Sequence, residues 1–126
     1  MTWESASTAR ADDAEAVLAK ATLSAARRLG LTNRELATVL GTSEASVSRL
    51  SGDRTLRTGS AEASLALLFI RLFRSLDAIT GGSEATARAW FTTHNRHVGG
   101  VPAERVHTVE GLVSVVQYLD AIRGTL

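Results

Sequence analysis

Apolar and polar positions alternate along this chain with helical rather than strand spacing, and no strand pattern is evident. From Asp13, the spacing of Val17, Leu18, Ala21, Ala25 and Leu29 predicts a first helix, with acidic residues in its first turn and Gly30 as its end. Residues 1–12 read as frayed. Thr32 with Glu35 three positions on forms a capping box that opens a second helix, which runs to Leu40 and stops at Gly41. Ser43 opens a third helix ending near Ser51–Gly52, and residues 53–59, DRTLRTG, read as a polar connector.

Ser60 starts a long fourth helix to about Ile79, with Leu65, Leu68, Phe69, Leu72, Phe73 and Leu76 inward. Leu67 and Ile70 widen its apolar surface, so it is either a central strut or a dimer contact. Gly81-Gly82 breaks the chain, and Ser83 caps a fifth helix carrying Trp90 and Phe91. Residues 95–102 form a loop whose Pro102 is suited to start a helical turn. Thr108 caps a last helix with Leu112, Val116 and Leu119 inward, Val115 and Ile122 beside them, ending at Gly124. The fold class is therefore all-α: an N-terminal helix-turn-helix bundle over residues 1–58, then a small helical module over residues 59–126.

The string from Leu31 to Arg54, LTNRELATVLGTSEASVSRLSGDR, carries the functional argument. Two short helices cross steeply only if the crossing residue is small, the turn tolerates a left-handed backbone and a branched residue returns to close the core. Ala37, Gly41 and Val47 meet those needs, with Leu36, Leu40 and Leu50 completing a small core. The third helix keeps Ser43, Glu44, Ala45, Ser46, Ser48 and Arg49 outward, short polar residues and one long cation suited to base edges and phosphates. DNA binding is expected, with Glu44, Ala45 and Ser46 at bases, Asn33 and Ser43 holding phosphates through helix N-termini, and Arg49, Arg54 and Arg57 adding electrostatic affinity. A plain helical hairpin within a bundle is the alternative.

Charge supports the first reading. The formal net charge is only +1. Residues 27–57, however, hold six arginines against three acids, while residues 1–26 hold two cations against four acids. The one basic block thus coincides with the helix-turn-helix. The 126-residue chain has no cysteine, which excludes disulfides and thiolate metal sites. No secretion signal is evident, and the longest apolar run, Leu65–Phe73, is far short of a membrane span, so a cytoplasmic protein is expected. His94, His97 and His107 have no carboxylate placed to complete a metal site. Neither a phosphate-binding loop nor a nucleophile constellation is present, so neither enzyme activity nor a cofactor is expected.

The same string resembles the Cro/repressor-like (Xre) helix-turn-helix family, whose pattern runs roughly L-T-Q-x-x-L-A-x-x-L-G-x-S-x-x-x-V-S-R-x-x-x-G. Leu31, Thr32, Leu36, Ala37, Leu40, Gly41, Ser43, Val47, Ser48, Arg49 and Gly52 match it, and Asn33 replaces the usual glutamine. Residues 59–126 resemble the toxin-binding domain of Xre/MbcA/ParS antitoxins through Trp90, His94-Asn95, Gly99-Gly100, Pro102, Thr108, Glu110-Gly111, Leu119, Ile122 and Gly124. The resemblance implies a type II antitoxin that covers the active site of a RES-type, NAD-consuming toxin, or a related ADP-ribosyltransferase, and represses its own operon.

It also implies toxin contacts at His94, Asn95, Arg96, Gly99, Gly111, Tyr118 and the tail Arg123, Gly124, Thr125 and Leu126. From the residues alone, His94–His97 serve equally well as a helix C-terminal cap, Trp90 reads first as core, and Gly111 marks either a close helix approach or a partner backbone. The partners expected are the toxin, double-stranded operator DNA and a second copy of the chain, in a homodimer and a larger toxin–antitoxin assembly. Leu65–Leu76 is the candidate dimer surface, with Tyr118 and Val115 as a second. A stand-alone dimeric repressor without a toxin is the alternative.

Overall fold

The computed structural model describes the backbone of residues 3–126 and the side chains from residue 10 onward. Seven helices follow one another: α1 (Trp3–Leu29), α2 (Asn33–Leu40), α3 (Glu44–Arg49), α4 (Ala61–Ile79), α5 (Glu84–Phe91), α6 (Pro102–Arg105) and α7 (Val109–Arg123). Among the described residues there is no strand, and the one bridge, Asn95 to Gly100, closes a loop. The all-α expectation and its order, a helix-turn-helix bundle and then a helical module, hold.

Local signals account for most boundaries. The side chains of Thr32, Ser43, Ser60, Ser83 and Thr108 each accept a hydrogen bond from the backbone N–H three residues on, satisfying a donor that the first helical turn leaves free. Thr32 and Glu35 form the complete capping box. Pro102 stands in the first turn of α6, where its missing N–H costs nothing.

α1 departs from expectation at both its start and its buried face. Residues 1–2 of the segment read as frayed lie outside the described residues, but from Trp3 the backbone is helical. That stretch lacks an apolar stripe, yet it is rich in alanine and free of Gly and Pro, so propensity carries the helix outward with residues 10–14 exposed. The buried stripe is Ala19, Thr22, Ala25, Ala26 and Leu29, rotated away from Val17, which is 64% exposed. Three alanines on that stripe let α4 approach closely, and Thr22 satisfies its buried hydroxyl by donating to the Leu18 carbonyl at 2.7 Å.

α4 is the central strut. It packs against α1, α2, α5 and α7, burying Ala63, Ala66, Phe69, Leu72, Ser75 and Leu76, while Leu65, Leu68 and Phe73 are part-covered at the core's edge. Only Leu67 among its large apolar residues stays mostly exposed. Val115 is fully buried against the core, so it cannot serve as a dimer surface in this fold. The connector at 53–59 is also less polar in effect than its composition predicts. Leu56 is wholly buried, and the Thr58 N–H donates to Glu15 of α1 at 2.6 Å.

α1 and α5 are tied by one side chain. Arg88 donates from Nε to the Arg28 carbonyl at 2.8 Å and from Nη2 to the Arg27 carbonyl at 2.9 Å, capping α1 from the C-terminal module, and also pairs with Glu84. Ser75 and Arg71 of α4 both hold Asp120 of α7. The two halves therefore share one continuous core.

Candidate DNA- and toxin-binding surfaces

The steric design of the helix-turn-helix is as the sequence implies. Ala37 and Val47 are buried between α2 and α3, with Leu36, Leu40 and Leu50 around them. Gly41 adopts φ +68°, ψ +35°, the left-handed conformation that reverses the chain within two residues and that L side chains resist. Ser43, Glu44, Ala45, Ser48 and Arg49 are exposed and Ser46 is half-buried, so nothing among the described residues occludes the outer face of α3.

That face is partly ordered by its own side chains. Ser43 Oγ accepts from the Ser46 N–H and donates to Ser46 Oγ at 3.0 Å, while Arg49 Nη2 donates to Ser46 Oγ at 3.1 Å. Arg49 is thus held over the N-terminal turn, with the rest of its guanidinium available. Asn33 is exposed in the first turn of α2. Arg57 is exposed on the connector.

Arg54 is different. Its Nη2 pairs with Glu62 at 2.5 Å and its Nη1 donates to the Ser46 carbonyl at 3.3 Å, with the guanidinium mostly buried. Its charge braces α3 against α4 rather than facing outward. Arg28 is likewise committed, to Asp77 at 3.4 Å and to the face of Phe73 at 4.8 Å. Of the basic block, Arg27, Arg34, Arg49 and Arg57 remain exposed.

The second surface lies on α5, the loop after it and α7. Trp90 and Tyr118 stack with ring centroids 6.4 Å apart, and His97 stacks on Tyr118 at 5.4 Å, all three rings nearly parallel. Trp90 is therefore neither wholly core nor wholly surface. It also lines a shallow, mainly apolar groove of about 310 Å³ with Thr86, Ala89, Thr93, His94 and Asn95. His94, Arg96 and His97 are exposed. Asn95 does more than cap a helix. Its backbone pairs both ways with Gly100, and its Oδ1 accepts the His97 N–H at 2.8 Å, closing a tight loop. Arg105 pins that loop by donating from Nε to the Val98 carbonyl at 2.8 Å.

Gly111 is placed by its own chain. A Cβ there would lie 1.8 Å from the Arg105 carbonyl oxygen, so the α6–α7 turn closes only over glycine. Gly99 sits in the pinned loop with φ +77°. Arg123, Gly124, Thr125 and Leu126 are exposed at the end of α7, and Leu126 is 78% exposed.

Two family models match the chain. The antitoxin Xre-like helix-turn-helix domain covers residues 9–71, half of the chain. The C-terminal toxin-binding domain of Xre/MbcA/ParS antitoxins covers residues 75–124. The chain belongs to the Xre/MbcA/ParS antitoxin family. The first match spans the whole helix-turn-helix of this antitoxin and much of α4, and the second spans the aromatic stack, the pinned loop and all of α7. No curated protein matches the antitoxin. No helix among its described residues is long and apolar enough to cross a membrane.

Sequence reasoning left His97 open between a helix cap and a partner contact, and did not foresee its stack on Tyr118. It becomes part of a site only because Tyr118, 21 positions on, folds beneath it, and no local spacing signals that.

Proposed function

We propose that the protein is the antitoxin of a type II toxin–antitoxin pair, neutralising a RES-type toxin that consumes NAD by covering its active site, and repressing its own operon through α3. It works in the cytoplasm, with DNA recognition in the region before about residue 58 and toxin capture after it. The observation that carries the reading is the pairing, in one chain, of an unobstructed α3 face with a toxin-binding module whose aromatic stack and groove are open to solvent.

On the DNA side, Glu44, Ala45 and Ser46 meet base edges from the start of the recognition helix. Asn33 and Ser43 set phosphates at the helix N-termini, and Arg49 and Arg57 neutralise further phosphates. Arg54 acts through Ser46, holding α3 in place. One such short helix presents few base contacts, so two copies binding paired half-sites are expected, as a homodimer that assembles further with toxin. On the toxin side, His94, Arg96, His97 and Tyr118 supply the contact surface, Asn95, Gly99 and Gly111 hold its shape, and the tail Arg123–Leu126 extends into the partner.

Co-expression with the gene adjacent to its own tests this. The antitoxin should copurify with that product, restore growth and preserve cellular NAD. Failure to copurify or rescue, with DNA binding intact, would leave a stand-alone repressor.

A further inference from the structure

α1 carries four cations, none of them used in the helix-turn-helix reading, and Lys20 and Arg27 stand apart among them. Lys20 and Arg27 are seven residues apart, so both leave the same face of the helix, about 10 Å apart along its axis. Both are exposed, and neither belongs to an ion pair among the described residues, unlike neighbouring Arg28. Their face borders two adjoining clefts. The larger, about 350 Å³, has Lys20 and Arg27 on one side and Ser51, Gly52 and Thr55 on the other. The smaller, about 170 Å³, sets Arg27 beside Asn33, Val47 and Ser51.

This places Arg27 next to one particular flank of the recognition helix. Glu44 and Ser48 share one face line of α3 at i, i+4, and Ser51, in the turn just past the helix end, meets Arg27 across both clefts. Ser46 and Arg49 lie on the other flank, with the Arg49 guanidinium donating to Ser46 Oγ. The start of the connector, Arg54 and Thr55, lines the larger cleft beside Lys20 and Arg27, and the Thr58 N–H bonds Glu15 of α1. A helix lying in a major groove has the phosphates of one strand on each side. Arg49 supplies a cation to one side. The opposite side has neutral Asn33, and it also has Glu44, whose carboxylate repels phosphate.

We infer that Lys20 and Arg27 form a second phosphate-binding track on α1, gripping the DNA strand opposite the one that Arg49 contacts. The recognition helix is then clamped from both sides. This rests on the proposal that α3 enters a DNA groove.

The test is the salt dependence of binding to duplex DNA from immediately upstream of the coding region, measured with the full-length chain. Each phosphate contact contributes roughly 0.9 to the slope of log K against log salt. Lys20→Gln/Arg27→Gln should lower that slope by about 1.8, shrinking the affinity ratio between about 50 and 200 mM salt roughly twelvefold. Lys20→Arg/Arg27→Lys should keep the wild-type slope, Arg57→Gln should lower it by about 0.9, and Arg74→Gln on α4 should leave it unchanged.

If Arg57→Gln lowers the slope and the α1 double variant does not, the second track is wrong and the DNA-binding proposal stands. A lower melting temperature with an unchanged slope in the double variant would make the two cations structural, and also overturns the inference. Wild-type protein that shows no salt-dependent binding to this DNA removes both.

Discussion

A single methyl group at position 111 should open the C-terminal module while leaving the helix-turn-helix intact. In Gly111→Ala, the new Cβ falls 1.8 Å from the Arg105 carbonyl oxygen, 2.7 Å from its carbon and 3.0 Å from Thr108 Oγ1. Two of these are backbone atoms, so no side-chain rotation relieves the clash and α6 must move off α7. Overpacking of this kind costs about 1–3 kcal/mol. The Gly111 N–H is also the donor to the Thr108 cap, whose loss adds about 1 kcal/mol. Alanine regains about 1 kcal/mol through its better helix propensity. The net destabilisation is about 1–3 kcal/mol, or a fall in Tm of about 4–12 °C for a chain of this size. Displacing Arg105 also frees the Val98 carbonyl that pins the loop at 95–100, so toxin capture should weaken more than stability alone requires. Urea unfolding with toxin copurification reads both effects. Gly124→Ala is the control for stability alone: Gly124 has φ −65° and its nearest obstruction is at 3.4 Å, so urea unfolding should show no loss. A Gly111→Ala protein as stable as wild type would refute the close-approach argument.

Three further outcomes are expected. Leu56→Ala removes a wholly buried anchor of the connector and should cost about 2–5 kcal/mol in urea unfolding, although composition alone marks that segment as polar. Arg88→Ala removes two hydrogen bonds to α1 carbonyls at a half-exposed site, so a loss of about 1 kcal/mol is expected, together with faster amide exchange over the last turn of α1. Arg54→Gln should lower Tm by breaking the brace to Glu62, whereas Arg57→Gln should leave Tm unchanged and weaken DNA binding uniformly across sequences.

Much of this architecture was legible in the sequence because its signals are local. The capping residues at 32, 43, 60, 83 and 108 act over three residues, and the Ala37, Gly41, Val47 triplet over eleven, so pattern reading finds them. What escaped depends on tertiary placement. The first half of α1 has no apolar stripe to mark it, and the stripe of its second half is built from alanines whose periodicity is weak beside that of Val17 and Leu18. Arg54 and Arg57 are alike in sequence, and only the position of Glu62 separates the brace from the outward cation. Gly111 offered two readings, and its approach to the Arg105 carbonyl gives the intramolecular one. The Trp90, Tyr118 and His97 stack joins three elements that no spacing connects.

The central claim is that the outer face of α3 meets DNA while the C-terminal module stays free for toxin. Backbone amide chemical-shift mapping during titration with duplex DNA from upstream of the coding region tests it directly. The account predicts perturbations concentrated at Asn33, Ser43–Arg49 and Arg57, and at Lys20 and Arg27 on α1, with Trp90, His94–His97 and Tyr118 unmoved. Shifts centred on the α5–α7 surface, or none at α3, would contradict it.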